Sequence, residues 1–61
     1  MTYLESVGSF VDLQTGIVYP AFENSTPDLD NGVSLIEDII PGDWLEALSP
    51  EDYSLVKKFV A

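Results

Sequence analysis

The stretch SPEDYSLVKKFVA, residues 49–61, carries the most specific start signal for a secondary-structure element in this sequence. Ser49 is a preferred helix N-cap residue, and Pro50 suits the first helical position, where its missing N–H is not needed. Asp52, three residues after Ser49, completes a weaker form of the capping box. The stretch therefore predicts a helix that begins at Pro50 and runs towards the end of the chain.

One face of this predicted helix is apolar. At about 100° per residue its large apolar side chains fall on an arc of about 160°, which is enough to cover a core. Lys57 and Lys58 lie in the last turn, where cations favour the helix dipole. Because this placement explains both lysines, we interpret them as helix-terminus residues and not as a binding site. The apolar positions are Tyr53, Leu55, Val56, Phe59 and Val60.

A shorter helix is predicted ahead of it. Residues 44–48, WLEAL, are mostly good helix formers, and Asp43 is a suitable cap for them. Residues 33–40, VSLIEDII, fit neither period uniquely, since they match a strand at their start and one helical face later on. We favour a third strand at the start of this segment because β-branched residues cluster there.

The first half of the chain has the composition of a β-hairpin. Residues 3–12 and 17–22 are rich in β-branched and aromatic side chains, and residues 13–16 between them form a short link that ends in Gly16. We expect a positive φ at Gly16, as such loops usually require. Pro20 cannot donate to a strand ladder, so the second strand should end there or run at an edge of the sheet.

Residues 23–32, ENSTPDLDNG, are turn formers with little to bury, and they predict a surface loop. Asp28 and Asp30 suggest a weak calcium site at first sight. The calcium-loop pattern fails, however, because an alignment on Gly32 places Pro27 and Leu29 at ligand positions. An ordinary Asp-rich turn is the favoured interpretation.

Together these elements predict a single small acidic domain, residues 1–61, that is β-rich over 1–40 and helical over 43–61. The fold class is α+β: a small antiparallel sheet of about three strands, with the short helix and the C-terminal helix packed on one face. In this arrangement four residues of the last helix, Tyr53, Val56, Phe59 and Val60, should pack against the inward-facing Phe10, Val18 and Leu35.

Charge is the strongest global feature. Eleven Asp and Glu against two Lys and no Arg give a net charge of −9. Binding to nucleic acid or to anionic lipid requires clustered cations, so we expect neither. The complementary partner is a larger basic protein, for example a nucleic-acid-binding enzyme.

Missing residue types exclude most enzyme chemistry. The chain has no Cys, no His and no Arg, and no phosphate-binding Gly motif. We therefore expect no enzyme activity, no cofactor and no metal site. A minimal hydrolase built on the acid pairs Glu37-Asp38 and Glu51-Asp52 is the remaining enzyme alternative.

No stretch resembles a signal peptide or reaches the ~20 apolar residues of a membrane helix. The expected location is the cytoplasm, or the cytoplasm of the host if the chain is phage-encoded. Small acidic chains of this composition are common among phage host-takeover and anti-defence proteins.

The resulting functional hypothesis is a small acidic regulator or inhibitor that docks on a basic protein surface. One form of it is a nucleic-acid mimic that covers a DNA-binding channel. The alternative is a homo-oligomeric structural or assembly protein, such as a homodimer, that associates through an apolar helical surface. The candidate partner-binding residues are Asp38, Asp43, Trp44, Glu46, Glu51 and Asp52.

Overall fold

The structure, a computed structural model, describes residues 1–60. Ala61, the last residue of the predicted helical half, lies outside the described residues. The described chain forms a four-stranded antiparallel sheet and two helices, which is the predicted α+β fold with four strands where about three were expected. In chain order the elements are β1 (Thr2–Leu4), β2 (Ser9–Asp12), β3 (Ile17–Pro20), a 3₁₀ helix (Leu29–Asn31), β4 (Val33–Ser34), α1 (Gly42–Ala47) and α2 (Pro50–Val60).

The additional strand comes from a turn inside residues 3–12, which we predicted as one strand. Residues 5–8 form this turn, in which the Val7 N–H donates to the Leu4 carbonyl at 3.2 Å. Gly8 has a φ of 60°, a left-handed conformation that glycine adopts without steric cost. The alternating pattern continues on both sides of the turn, so it does not reveal the break.

The strands follow each other in the order β1-β2-β3-β4, so every neighbour in the sheet is also a neighbour in the chain. Thr2 pairs with Val11, and Val11 pairs with Val18. Successive side chains of a strand point to opposite faces. Val11 and Val18 are buried on the helix side, which places Phe10 on the other face of β2.

The prediction that Phe10 points into the core was therefore wrong. Its ring contacts Tyr3 on the face away from the helices, with a distance of 4.9 Å between the ring centroids. Tyr53 was also wrongly placed in the core, since its side chain is 43% exposed. Val18, Leu35 and Val56 are buried as predicted, and Phe59 and Val60 pack against the core.

Gly16 has the predicted positive φ, 75°. A Cβ atom at this position would lie 2.8 Å from Cδ1 of Phe59, so the ring of α2 packs directly on the hairpin turn. Glycine is required here by both the backbone conformation and the close approach of Phe59. Strand β3 ends at Pro20, as expected.

The segment 33–40, whose period was ambiguous, begins with a strand, as predicted. This strand is β4, and it contains only Val33 and Ser34. A turn follows. The Asp38 carboxylate accepts a hydrogen bond from the Ser34 N–H at 2.8 Å, and the Asp38 N–H donates to the Ser34 carbonyl at 3.1 Å. Asp38 thereby occupies the outward backbone groups of Ser34 on an edge strand, which hinders pairing with another chain.

The two helix starts differ from each other. α2 begins at Pro50, and the Ser49 hydroxyl accepts a hydrogen bond from the Asp52 N–H at 3.2 Å, as predicted. α1 begins at Gly42, and its cap position is Pro41, which makes no side-chain cap. The prediction that Asp43 caps this helix was wrong, because Asp43 lies within its first turn.

Candidate functional site

An apolar groove of about 250 Å³ lies between the core face of the sheet and the segment that leads into α1. Its walls are mainly apolar, and it is open to solvent on one side. We call it the Trp44 groove. Its lining residues are Ser9, Val18, Pro20, Asn31, Val33, Leu35, Ile40, Pro41 and Trp44.

Trp44 is the predicted site residue that lines this groove. It lies in α1, it is half-buried, and it packs against the core. The apolar surface continues next to the groove, because Ile36 is 63% and Ile39 is 96% exposed. Both lie in the same short segment as the lining residues Leu35 and Ile40. Exposed aliphatic side chains grouped in this way are typical of an interaction surface.

Acidic side chains are interspersed with the apolar residues over positions 37–46. We call residues 37–46 the acidic segment, since they contain Glu37, Asp38, Asp43 and Glu46 and no Lys. Each of these acids lies within two chain positions of a residue that lines the groove. The two lysines lie in the last turn of α2, an element that does not line the groove. The groove is thus placed in a negative field.

The acids of this segment differ in what they bind within the protein. One oxygen of Asp38 accepts from the Ser34 N–H, so this carboxylate helps to hold the turn after β4. Asp43 and Glu46 are exposed on α1. They lie one and two chain positions from Trp44, so they do not share its helix face, and they add negative charge to the same short helix.

Asp52 belongs to a different place, the junction between the β1–β2 turn and α2. Its Oδ2 atom accepts from the Ser6 hydroxyl at 2.6 Å and from the Ser6 N–H at 3.1 Å. The Ser6 hydroxyl in turn accepts from the Ser49 N–H at 3.0 Å. Ser6 is therefore inserted into one half of the capping box, between the Ser49 N–H and the Asp52 carboxylate, while the Asp52 N–H still donates directly to the Ser49 hydroxyl.

This junction lowers the pKa of Asp52. The hydroxyl of Ser6 is the main cause, followed by the Ser6 N–H, with a smaller contribution from Ser49, while desolvation acts in the opposite direction. Hydrogen bonds to a carboxylate favour its charged form. Asp52 thus links the sheet to the helix, and Glu51 beside it is exposed in the first turn of α2.

The predicted residues therefore fall into two groups. Trp44 lines the groove, and Asp38, Asp43 and Glu46 lie within two chain positions of a lining residue, whereas Glu51 and Asp52 belong to the start of α2. Sequence reasoning missed the groove itself. Its lining comes from separate stretches of the chain, and no local pattern announces which of them meet.

The predicted Asp-rich turn is present in the loop after β3. The Asp28 carboxylate accepts from the Asp30 N–H at 3.2 Å and from the Asn31 side-chain amide at 2.7 Å. Within residues 1–60, no three acidic side chains are grouped as metal ligands. Among the same residues, neither helix has the length and apolar content needed to cross a bilayer.

Comparison with known proteins adds no assignment to this geometry. The sequence matches no protein-family model, and searches of curated proteins and of solved structures return no match.

Proposed function

We propose that this protein is a small acidic binding module that docks on the basic surface of a larger protein and regulates it. The observation that carries the proposal is that the acidic segment and the apolar surface occur in the same part of the chain, whereas the lysines occur elsewhere. The acidic segment lies beside the Trp44 groove and the exposed Ile39, while both lysines lie at the end of α2.

Each part of this surface has a separate role in binding. A net charge of −9 accelerates encounters with a basic partner and disfavours acidic ones. Affinity then depends on burying apolar groups at the centre of the contact, and aromatic residues are enriched among such anchors. Trp44 and Ile39 supply the apolar part, and Asp43 and Glu46 supply charge next to it.

The finer form of the proposal concerns the partner. A nucleic-acid-binding enzyme has the required basic surface, and an acidic module on that surface excludes its nucleic acid. The protein would then act as an inhibitor and nucleic-acid mimic, as expected of a phage-type host-takeover or anti-defence protein acting in the host cytoplasm. The sign and density of charge support this form.

The test is affinity capture from a bacterial lysate at low salt, elution with a salt step, and purification of the main partner. The proposal predicts that the dissociation constant of the purified pair rises with salt and that added DNA competes with this protein for the partner. A dissociation constant that is unchanged by 1 M salt would overturn it.

A pair of matched variants localises the contact. Asp43→Asn/Glu46→Gln and Glu5→Gln/Glu51→Gln each remove two of the eleven carboxylates, so their net charges are equal. The first pair lies on α1 beside the groove, and the second lies on elements that do not line it. We expect the first pair to weaken binding more. Equal losses would show that total charge alone matters.

A homo-oligomeric structural or assembly protein is the second candidate. The exposed Ile36 and Ile39 favour it, because a second copy would cover them. Analytical ultracentrifugation in high salt, which screens the repulsion between copies, tests it. This candidate predicts a mass that rises with concentration and a return to monomer in Ile39→Glu. A constant monomeric mass would dismiss it.

A further inference from the structure

The Trp44 groove has the dimensions of a pocket for one large side chain. Its volume is about 250 Å³, whereas an apolar cavity of about 150 Å³ already holds benzene. The groove is also open on one side, so a side chain can enter it from a neighbouring molecule. The volume is therefore sufficient for a leucine or phenylalanine side chain.

The groove lining calls for an apolar occupant. Its two polar side chains, Ser9 and Asn31, already donate hydrogen bonds within the protein. The Ser9 hydroxyl donates to the Val7 carbonyl at 3.3 Å, and the Asn31 amide donates to Asp28 at 2.7 Å. The remaining lining residues are apolar, so most of the surface of an occupant would face no hydrogen-bonding group, which favours an apolar side chain.

The surroundings of the groove call for cations beside that apolar group. The acidic segment contributes carboxylates on both sides of Trp44 in the chain, Asp43 before it and Glu46 after it. Asp30, the neighbour of the lining residue Asn31, adds a carboxylate from the 3₁₀ helix. These exposed carboxylates on the elements that line the groove favour Lys or Arg on the segment that enters.

We propose that the Trp44 groove binds a segment of the partner in which one Leu- or Phe-sized side chain is flanked by Lys or Arg. This inference rests on the proposed function and specifies its partner: the apolar side chain fills the groove and the cations contact the exposed carboxylates of Asp30, Asp43 and Glu46. It also separates anchoring in the groove from the general attraction between the two charged surfaces.

A second copy of this chain does not fit the same description. Its only Lys or Arg residues are Lys57 and Lys58, and the apolar side chains next to them are Phe59 and the fully buried Val56. Phe59 is already packed on Gly16 of its own chain. A copy would have to unpack α2 from the hairpin turn before it supplied this segment.

The test uses three blocked tripeptides, Lys-Phe-Lys, Lys-Ala-Lys and Glu-Phe-Glu, titrated into the full chain at low salt. Trp44 is the only tryptophan, so its fluorescence and its indole N–H signal in NMR report on the groove directly. We expect Lys-Phe-Lys to bind about tenfold or more tightly than Lys-Ala-Lys, because the phenylalanine ring is buried only in the former. We expect a similar loss for Glu-Phe-Glu.

Two variants separate groove binding from surface binding. Val33 is 39% exposed and lines the groove, so Val33→Phe fills it while keeping a good β-former on β4. Leu29→Phe adds the same ring at an exposed position outside the lining. The first should abolish the preference for Lys-Phe-Lys over Lys-Ala-Lys, and the second should leave it intact. Far-UV circular dichroism confirms that both variants are folded.

The outcomes distinguish this inference from the proposed function. Equal binding of the two cationic peptides would overturn the groove as an anchor site and leave docking by charge in place. Equal binding of Lys-Phe-Lys and Glu-Phe-Glu would overturn the cationic flanks. If Val33→Phe instead lowers the mass of a self-associated wild-type protein, the occupant is a second copy and the inference is wrong. Salt-independent capture of the purified partner would overturn the proposed function independently of the peptides.

Discussion

The starts of the two helices show two different ways of placing an element. At α2, Ser49 caps the helix, and Ser6 connects Ser49 and Asp52 to the sheet. At α1, the cap position is Pro41, and no side chain bonds the free N–H groups. The first helix start is tied to a distant turn, while the second is held by packing alone.

Burial shows the same difference. The scaffold, by which we mean β1–β3 and α2, contains the fully buried Leu4, Val11 and Val56. The segment from Val33 to Ala47 buries Leu35 and leaves Ile39 almost completely exposed. A domain of this size buries only about 60% of its unfolded surface. The scaffold therefore contains most of the buried core, to which the segment 33–47 adds Leu35 and several half-buried side chains.

The largest expected difference in the free energy of unfolding is between Leu4→Ala in the scaffold and Ile39→Ala in the segment 33–47. Leu4 is fully buried, so its truncation should cost about 2–5 kcal/mol, which approaches the roughly 3–5 kcal/mol that a small core supplies. Ile39→Ala should change the free energy of unfolding by less than about 0.5 kcal/mol. Urea denaturation followed by circular dichroism measures both. Similar losses for the two variants would contradict the exposed position of Ile39.

Substitution of two glycines by alanine should change the stability of the protein in opposite directions. Gly16→Ala places a Cβ at a φ of 75° and against Phe59, and should destabilise the protein by about 1–3 kcal/mol. Gly42→Ala on α1 meets no atom within 4 Å and should leave stability unchanged or raise it by up to about 1 kcal/mol. Thermal unfolding of the two variants tests this. A stabilising Gly16→Ala would contradict the close packing of α2 on the hairpin turn.

The cap of α2 gives an effect of intermediate size. Ser49→Ala removes the hydroxyl that accepts from the Asp52 N–H, and should cost about 1 kcal/mol. Ser54→Ala is the matched control, since the Ser54 hydroxyl only donates to a carbonyl of its own helix, and it should have almost no effect. Urea midpoints compare the two. Equal midpoints would mean that the α2 start is no better determined than the α1 start.

The smallest expected effect is confined to acid pH. Hydrogen bonds from Ser6 lower the pKa of Asp52 in the folded protein, so its charged form stabilises the fold above the pKa of the unfolded state. This contribution should disappear as the pH falls through the lowered folded-state pKa. The difference in urea midpoint between wild type and Asp52→Asn should therefore shrink on acidification. A difference that stays constant as the pH falls would contradict this role of the Asp52 carboxylate.

Local sequence signals predicted the structure correctly where the backbone preference of a single residue type decides the conformation. Ser49 and Pro50 predicted the start of α2, Gly16 predicted a positive φ, and Pro20 predicted a strand end. They failed where the rest of the fold decides which face of a strand or helix is turned towards the core. Phe10 and Tyr53 fit a core by pattern, yet the sheet alternation and the helix rotation place them outside.

The candidate site was predictable only in its composition. The acids and Trp44 of residues 43–46 are visible in the sequence, whereas the groove depends on Val18, Val33 and Ile40 meeting across three separate stretches. Ser6 had no local signal either, because its role arises from a partner 46 residues away.

The sequence by itself determined the α+β class, the start of α2, the glycine of the hairpin turn and the negative charge, because each follows from local backbone preference or from composition. Only the tertiary structure decided the fourth strand, the insertion of Ser6 into the helix cap and the Trp44 groove. These three features depend on which surfaces of the strands, turns and helices pack against each other. That packing is decided by residues far apart in the chain, which together form one small core.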